Sequence, residues 1–443
     1  MDILQSVQPL RLDNCSCEAI LNYLQNSWQL EDLLLKSIQG EDTFYLNPDS
    51  LRNPLIFYLG HSAVFYINKL RRVGLLEKPL NKEYEVIFEI GVDPETPEDL
   101  NEAIANITWP AVREVWEYRQ QVYELLTKII QKVPLNLPIH QRHPLWGLMM
   151  GIEHQRIHFE TSSMLIRQLP VELVKRHQKW QYAPSNGKIY DNEMVELSGG
   201  IVELGKPENS PIYGWDSEYG YRRVEVQPIA VSKYMITNAQ FLEFVKAGGY
   251  ENQEYWPGES GNWKEENNVR HPKFWIANNG GYQYRAMFDE IELPLTWPVE
   301  VNYYEAMAYC RWQGEEIRLM SEAEWHFASA LNGDRDTIDD YNLNLKFGSP
   351  SPVGSLEKAQ SPSGIFDLRG NVWEWLNENF NPLPGFKAHF LYPDNAVPFF
   401  DNKHKMMLGG AWVTNGTEAM TFYRNWFRPY FYQHTGFRIV QSM

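Results

Sequence analysis

The run Glu153-His154-Gln155-Arg156-Ile157-His158 places two imidazoles four residues apart. On a helix that spacing separates them by about 40° of rotation, so both project from one face and can chelate one divalent metal. A bound metal needs at least one more protein ligand, which another helix has to supply. Of the eleven histidines, His61 is the best third candidate. It follows Gly60 in the apolar run Phe57-Tyr58-Leu59-Gly60-His61, where the glycine would permit close helix approach and a polar imidazole requires a partner. Three neutral imidazoles without a thiolate suit iron, zinc or copper. A facial set on iron leaves positions for substrate and O2, while a hydrolytic zinc wants a general base, for which Glu153 and Glu160 stand near the pair. The competing reading is a core histidine satisfied by ordinary hydrogen bonds and a chance His-x3-His pair on a solvated helix.

Elements that could bring these residues together follow from hydrophobic period. From Asn14 to about Leu173 apolar residues recur at three and four. Helices are expected between Cys15 and Leu35, around Leu51 to Leu76, from Trp109 to Val133 with Thr108 as cap and Pro110 in the first turn, and from Pro144 to Arg167. That is a bundle of about four helices. Beyond Leu173 the pattern changes to short β-prone runs, Met194 to Leu204, Tyr221 to Val231 and Phe437 to Val440. Helices at Asn238 to Ala247 and Tyr303 to Gln313 interrupt them. The chain therefore reads as α+β with two domains. The bundle spans 1–180, a polar linker 181–193 around QYAPSNGKIYD, and a loop-rich mixed domain 194–443.

Composition agrees and narrows the function. A length of 443 residues is about twice what one core usually serves. With 40 Lys+Arg against 57 Asp+Glu the net charge is −17, which argues against nucleic acid, since phosphate binding needs a basic surface. No apolar run reaches the roughly 20 residues that span a bilayer, and MDILQSVQPLRLDNCSCEAI lacks the pattern of a cleaved signal. Cys15, Cys17 and Cys310 form no metal-binding spacing and are too few to staple the fold, so a cytoplasmic protein is expected. Aromatic residues make up 14% of the chain and fit either a ring-packed core or a pocket lined by polar-tipped rings.

The run GIEHQRIHFETSSMLIRQLP, with FYLGHSAVFYINKL before it and EIGVDPETPEDLNEA between them, resembles the sulfoxide synthase part of ovothiol biosynthetic enzymes. That family joins a DinB-like four-helix bundle to a formylglycine-generating-enzyme-like (C-type-lectin-like) domain. IYGWDSEYGYRRVEV, TWPVEVNYYEAMAYCRW, IRLMSEAEW, GNVWEW and the closing LGGAW with GFRIV are similar to the second domain's signature runs. The resemblance implies a mononuclear non-haem Fe(2+) enzyme with ligands His61, His154 and His158 and O2 as co-substrate. It would join cysteine sulfur to C5 of histidine and oxidise that sulfur, giving 5-histidylcysteine sulfoxide.

Related ergothioneine sulfoxide synthases take trimethylhistidine with cysteine or γ-glutamylcysteine. They tend to carry Gln immediately before the last ligand, where this chain has Ile157, and the γ-glutamylcysteine-using type has arginines ahead of the third helix. Here the stretch Asp93 to Asn106 holds Asp93, Glu95, Glu98, Asp99 and Glu102 and no arginine. Both departures favour free cysteine and unmethylated histidine. Full ovothiol enzymes usually continue into a methyltransferase domain, whereas this sequence stops at Met443 and has no G-x-G-x-x-G loop. A separate methyltransferase and a C–S lyase are then expected to complete the pathway.

Amino-acid substrates call for carboxylate partners, and Arg offers the bidentate fork. Arg71, beyond His61, and Arg424, Asn425, Trp426 and Arg428 of the run YRNWFRPYFYQH are the substrate-binding candidates, with that run expected to face the iron. The family implies a tyrosine that donates a proton or electron; Tyr430, Tyr432 and Tyr392 are the candidates in that order. GNVWEW and RLMSEAEW read as structural, and Cys310 as a packing residue. A non-enzymatic ligand-binding module is the alternative of another class. Formylglycine generation is disfavoured, because that chemistry relies on a pair of cysteines in the second half and only Cys310 lies there.

Overall fold

A computed structural model of the chain describes residues 5–89, 91, 94–329 and 337–443; Asp93 lies outside them. The chain divides into two compact units, Met1–Lys179 with Ser210–Tyr213, and Trp180–Asn209 with Gly214–Met443.

The first unit contains the helices α1 (Cys17–Leu35), α2 (Leu55–Arg72), α3 (Tyr84–Ile87), α4 (Pro97–Ile104), α5 (Val112–Lys132) and α6 (Leu145–Arg167). Ser16 caps α1 by accepting from the Ala19 amide. The third long helix starts later than its sequence suggests. Val112, not Pro110, is its first residue, and the Glu114 carboxylate closes its end by accepting from the Ala111 amide at 3.3 Å. α2 and α6 are buried along almost their whole lengths. A helix apolar or paired all round belongs at the centre of its unit, with α1 and α5 as its covering layer. Gly151 on α6 lets these two helices meet, since a Cβ there would sit 2.3 Å from the Tyr66 ring of α2.

The second unit is poor in regular strand. β1 (Met194–Leu197), β2 (Gly200–Leu204), β3 (Arg222–Val226) and β4 (Ile229–Ser232) precede α7 (Asn238–Lys246) and α8 (Glu259–Glu266). Then come β5 (Trp275–Asn278), β6 (Gly281–Arg285), β7 (Glu290–Glu292), α9 (Tyr303–Gln313), β8 (Ile317–Arg318) and α10 (Glu322–Ser329). The last strands are β9 (Trp373–Asn379), β10 (Lys405–Leu408), β11 (Asn425–Phe427), β12 (Thr435–Gly436) and β13 (Val440–Ser442). One sheet has the order β1-β4-β13-β8 and another β11-β10-β9-β12, with β2-β3 and β5-β6-β7 as smaller sheets. The β-prone run Tyr221 to Val231 is broken between β3 and β4 at Gln227-Pro228, where proline has no N–H to give a ladder.

Loops carry most of this unit, and buried indoles pin them. Trp180, Trp297 and Trp375 donate to the carbonyls of Gly348, Pro184 and Val301. The stretch read as a linker, 181–193, is mostly exposed but tied down at its start: the Gln181 carbonyl accepts from the Gly348 amide, and the Tyr182 hydroxyl donates to Asp289 at 2.8 Å. The two signature motifs act structurally. Glu374 of GNVWEW pairs with buried Arg438 at 2.9 Å, and Glu324 of RLMSEAEW takes a bidentate bond from Arg318.

Candidate metal centre

His61 sits in the middle of α2, while His154 and His158 are one turn apart on α6. Their candidate ligand atoms all lie within 4.8 Å of one another. Ring centroids are 5.0 Å apart for His61 and His154, and 4.4 Å for His158 from either partner. Packing orients each ring. His61 stacks on Phe57 at 4.7 Å, and His154 lies parallel to Phe65 at 3.5 Å.

The His61 Nδ1–H donates to the Phe88 carbonyl at 2.6 Å, which leaves Nε2 as the lone pair facing the cluster. Gly60 makes this possible in a way the sequence reading did not foresee: a Cβ there would meet the Phe88 ring at 2.7 Å, so the glycine admits Phe88 and not another helix. Burial holds all three imidazoles in the neutral, ligating form. His61 is lowered to about 4, the Phe88 hydrogen bond only partly offsetting burial and Lys69 adding to it. His154 and His158 are pushed well below the ordinary value, first by burial and then by the neighbouring imidazoles.

A metal suits this cluster on the protein's own chemistry. Nδ1 of His158 is buried and makes no hydrogen bond within the described residues, and a polar atom buried in that state is costly. Three imidazoles with no thiolate match a first-row divalent metal and leave further coordination positions open. Glu153, one of the two acids considered as a general base, instead accepts from Tyr23 of α1 at 2.8 Å.

The other candidates are distributed differently from their sequence roles. Arg71 is exposed, 3.7 Å from Glu85, and lies on α2 ten residues past His61, about 15 Å further along the axis. It does not join the histidines. Arg424 is buried with each of its three guanidinium nitrogens engaged, by both Glu322 oxygens and by the Ser217 and Asn381 carbonyls, so it is held as a structural ion pair. Trp426 stacks on Phe380 at 4.1 Å, and the Asn425 side chain accepts from the Trp426 amide. Arg428 is buried, while Tyr430, Tyr432 and Tyr392 are half-buried in the second unit. Tyr432 packs near Phe274 and Trp263, with Lys273 over its ring at 5.8 Å.

Sequence reasoning missed three residues on the histidine stripe of α2. Tyr58 lies with its ring 6.1 Å from His158, Phe65 covers His154, and the buried Lys69 ammonium stands 4.4 Å over Phe65. The i, i+4, i+8 spacing of His61, Phe65 and Lys69 was the available signal.

A model of the sulfatase-modifying factor enzyme 1-like domain matches residues 181–443, more than half of the chain. The chain belongs to this sulfatase-modifying factor enzyme 1-like family. Relatives outside that model reach back over the helical unit. The ergothioneine biosynthesis protein 1 of Neurospora crassa is 24% identical over 94% of this chain and 57% of its own length. Its namesake in Schizosaccharomyces pombe is 23% identical over 98% of this chain and 57% of its own. The hercynine oxygenase of Mycobacterium tuberculosis is 30% identical over 48% of this chain and 52% of its own. The chain thus spans about half the length of the relatives it matches. Cys310 is buried in α9, and burial pushes its thiol up to about 12, the opposite of an activated nucleophile. No helix among the described residues is long and apolar enough to cross a membrane.

Proposed function

We propose that the chain is an iron(II)- and O2-dependent sulfoxide synthase of the ergothioneine type, joining the sulfur of cysteine or γ-glutamylcysteine to an imidazole carbon of hercynine, the trimethylated form of histidine. The observation that carries this reading is the convergence of three neutral imidazoles, two buried and one half-buried, whose ligand atoms lie within 4.8 Å of one another. The relatives named for ergothioneine biosynthesis and for hercynine support the acceptor. Iron, when bound, supplies the redox chemistry and the open positions for thiolate and O2.

The chain's own residues prepare the site. His61, His154 and His158 provide the ligand atoms, with the His61 tautomer fixed by the Phe88 carbonyl. Phe57 and Phe65 shield the rings from water, which strengthens every electrostatic interaction there. Lys69 sets a positive charge near the cluster, suited to an anionic substrate group. A phenol is proposed to hold and release a proton at its hydroxyl, with Tyr430, Tyr432 and Tyr392 joined as candidates by Tyr58 beside His158.

Ile157, in place of a glutamine before the last ligand, and the arginine-free acidic stretch through Glu95, Glu98, Asp99 and Glu102 favour a second reading. In it the substrates are histidine and cysteine, the product is 5-histidylcysteine sulfoxide, and a separate methyltransferase and a C–S lyase complete an ovothiol pathway. The deciding experiment loads the chain anaerobically with iron(II), admits O2 with each of cysteine and γ-glutamylcysteine and either hercynine or histidine, and follows products by mass spectrometry. Sulfoxide from hercynine at equal or higher turnover supports the first reading, and preferential use of histidine the second. Iron binding with no O2 consumption in any mixture overturns both and leaves a binding module.

A further inference from the structure

Behind the three histidines lies a second set of buried polar side chains for which the proposed reaction has no use. Its centre is Glu31 on α1, which has no exposed surface. One carboxylate oxygen accepts from the Ser62 hydroxyl at 2.6 Å; the other accepts from Gln155 Nε2 at 2.7 Å and from Arg119 Nη2 at 2.9 Å. Ser62 follows His61, and Gln155 follows His154, so each points about 100° around its helix from an imidazole. A single carboxylate therefore grips both ligand-bearing helices from a face that flanks the imidazoles.

The grip is locked at each contact. The Gln155 amide is held in one orientation, because its oxygen accepts from Ser27 at 3.0 Å and from Tyr66 at 2.8 Å while its nitrogen faces Glu31. Arg119 of α5 also donates to the Leu59 carbonyl, two residues before His61, at 3.0 Å, and to Asp32 at 2.7 Å. Charge-assisted bonds among fully buried partners are the stiff kind. Stiffness matters here because side-chain tips ride about 5–6 Å from a helix axis, so a rotation of about 10° moves one by about 1 Å. Metal ligation tolerates about 0.2 Å.

We infer that Glu31 is a positioning residue for the metal centre: its bonds to Ser62, Gln155 and Arg119 set the rotation of α2 against α6 at which the three imidazoles converge. This rests on the metal reading of the histidine cluster. The test titrates the full chain with cobalt(II), reading the affinity by chelator competition and the geometry from the visible ligand-field spectrum, beside a thermal melt of the metal-free protein. Glu31→Gln is expected to weaken cobalt binding 10- to 100-fold and to change the spectrum. Asp32→Asn, which removes the other carboxylate on Arg119 but touches neither Ser62 nor Gln155, is expected to keep affinity within twofold and the spectrum unchanged. Wild-type affinity and spectrum in Glu31→Gln, whatever its melting temperature, overturn the inference. Should that variant fail to fold, Ser62→Ala and Gln155→Leu decide, each expected to weaken cobalt in the same direction, and wild-type behaviour in both overturns it. A wild-type chain that takes up no cobalt, or a His158→Ala variant that retains it, overturns the metal reading itself and the inference with it.

Discussion

His158, half-buried, and Arg424, buried, are both polar side chains inside their units, yet their surroundings assign them opposite jobs. Nδ1 of His158 is a buried atom beside two other imidazoles, whereas all three guanidinium nitrogens of Arg424 are already bonded inside its own unit. His158→Ala is expected to abolish stoichiometric iron(II) uptake, read by metal analysis after gel filtration, with little change in the circular dichroism of the metal-free protein. Arg424→Met is expected to lower stability by about 3–5 kcal/mol, since it strands the Glu322 carboxylate without its counter-ion. The double variant with Glu322→Gln should recover much of that loss in denaturant unfolding, because replacing both members leaves no buried charge. Substrate KM measured well below the unfolding temperature should not move in Arg424→Met, and a large rise would return this arginine to substrate binding. The histidine pair was legible from sequence because its partners are four residues apart on one helix. The role of Arg424 was not, because Glu322, a hundred residues earlier, looks like any other acid until the fold brings the two together.

At the scale of elements, the four long helices and the strands β1 to β4 followed from hydrophobic period, since burial on one face is a local property of sequence, whereas β5 to β12 lie outside the runs read as β-prone. Close approaches were harder to read, because a glycine records that something comes near without recording what. Gly60 was expected to admit a helix and in fact admits the Phe88 ring, whose own carbonyl orients His61. Gly60→Ala should therefore push Phe88 aside and weaken metal binding about 10-fold by loosening that hydrogen bond. Gly151→Ala acts on the α2–α6 contact, where the added methyl would overlap the Tyr66 ring. It is expected to cost about 1–3 kcal/mol by overpacking, read from denaturant midpoints. A smaller penalty for Gly151→Ala in a Tyr66→Ala background than in the wild type would confirm that ring as the obstacle, and unchanged stability in Gly151→Ala alone would show that the helices separate at no cost. The hydrogen bonds that tie down the start of 181–193 were not legible, because its anchors, Gly348 and Asp289, are distant in sequence.

Over the whole molecule, buried titratable groups couple stability to pH in both directions. In the metal-free helical unit His61 is lowered to about 4 by burial. The unfolded chain then binds the extra proton first, so this contribution is complete above about pH 6.5 and is lost as the pH falls toward 4. In the second unit Glu305 is raised to about 7, chiefly by burial, while it accepts from the Tyr250 hydroxyl at 2.6 Å and from the Asn302 amide at 2.9 Å. A carboxyl held protonated in the fold contributes stability that is complete below its unfolded value, about 4.3, and is lost as the pH rises through 7. Asp367, raised to about 6 by burial, works in the same sense, and His326, lowered to about 4, in the opposite one. Glu305→Gln isolates one of these slopes: its amide can give oxygen to the Asn302 N–H and nitrogen to Tyr250, and it does not titrate. Relative to wild type it is expected to gain stability progressively from pH 5 to pH 8, by up to about 3 kcal/mol for a displacement of this size. Denaturant unfolding of both proteins at pH 5, 6, 7 and 8 measures the difference, and two parallel curves would show that Glu305 ionises inside the fold without cost.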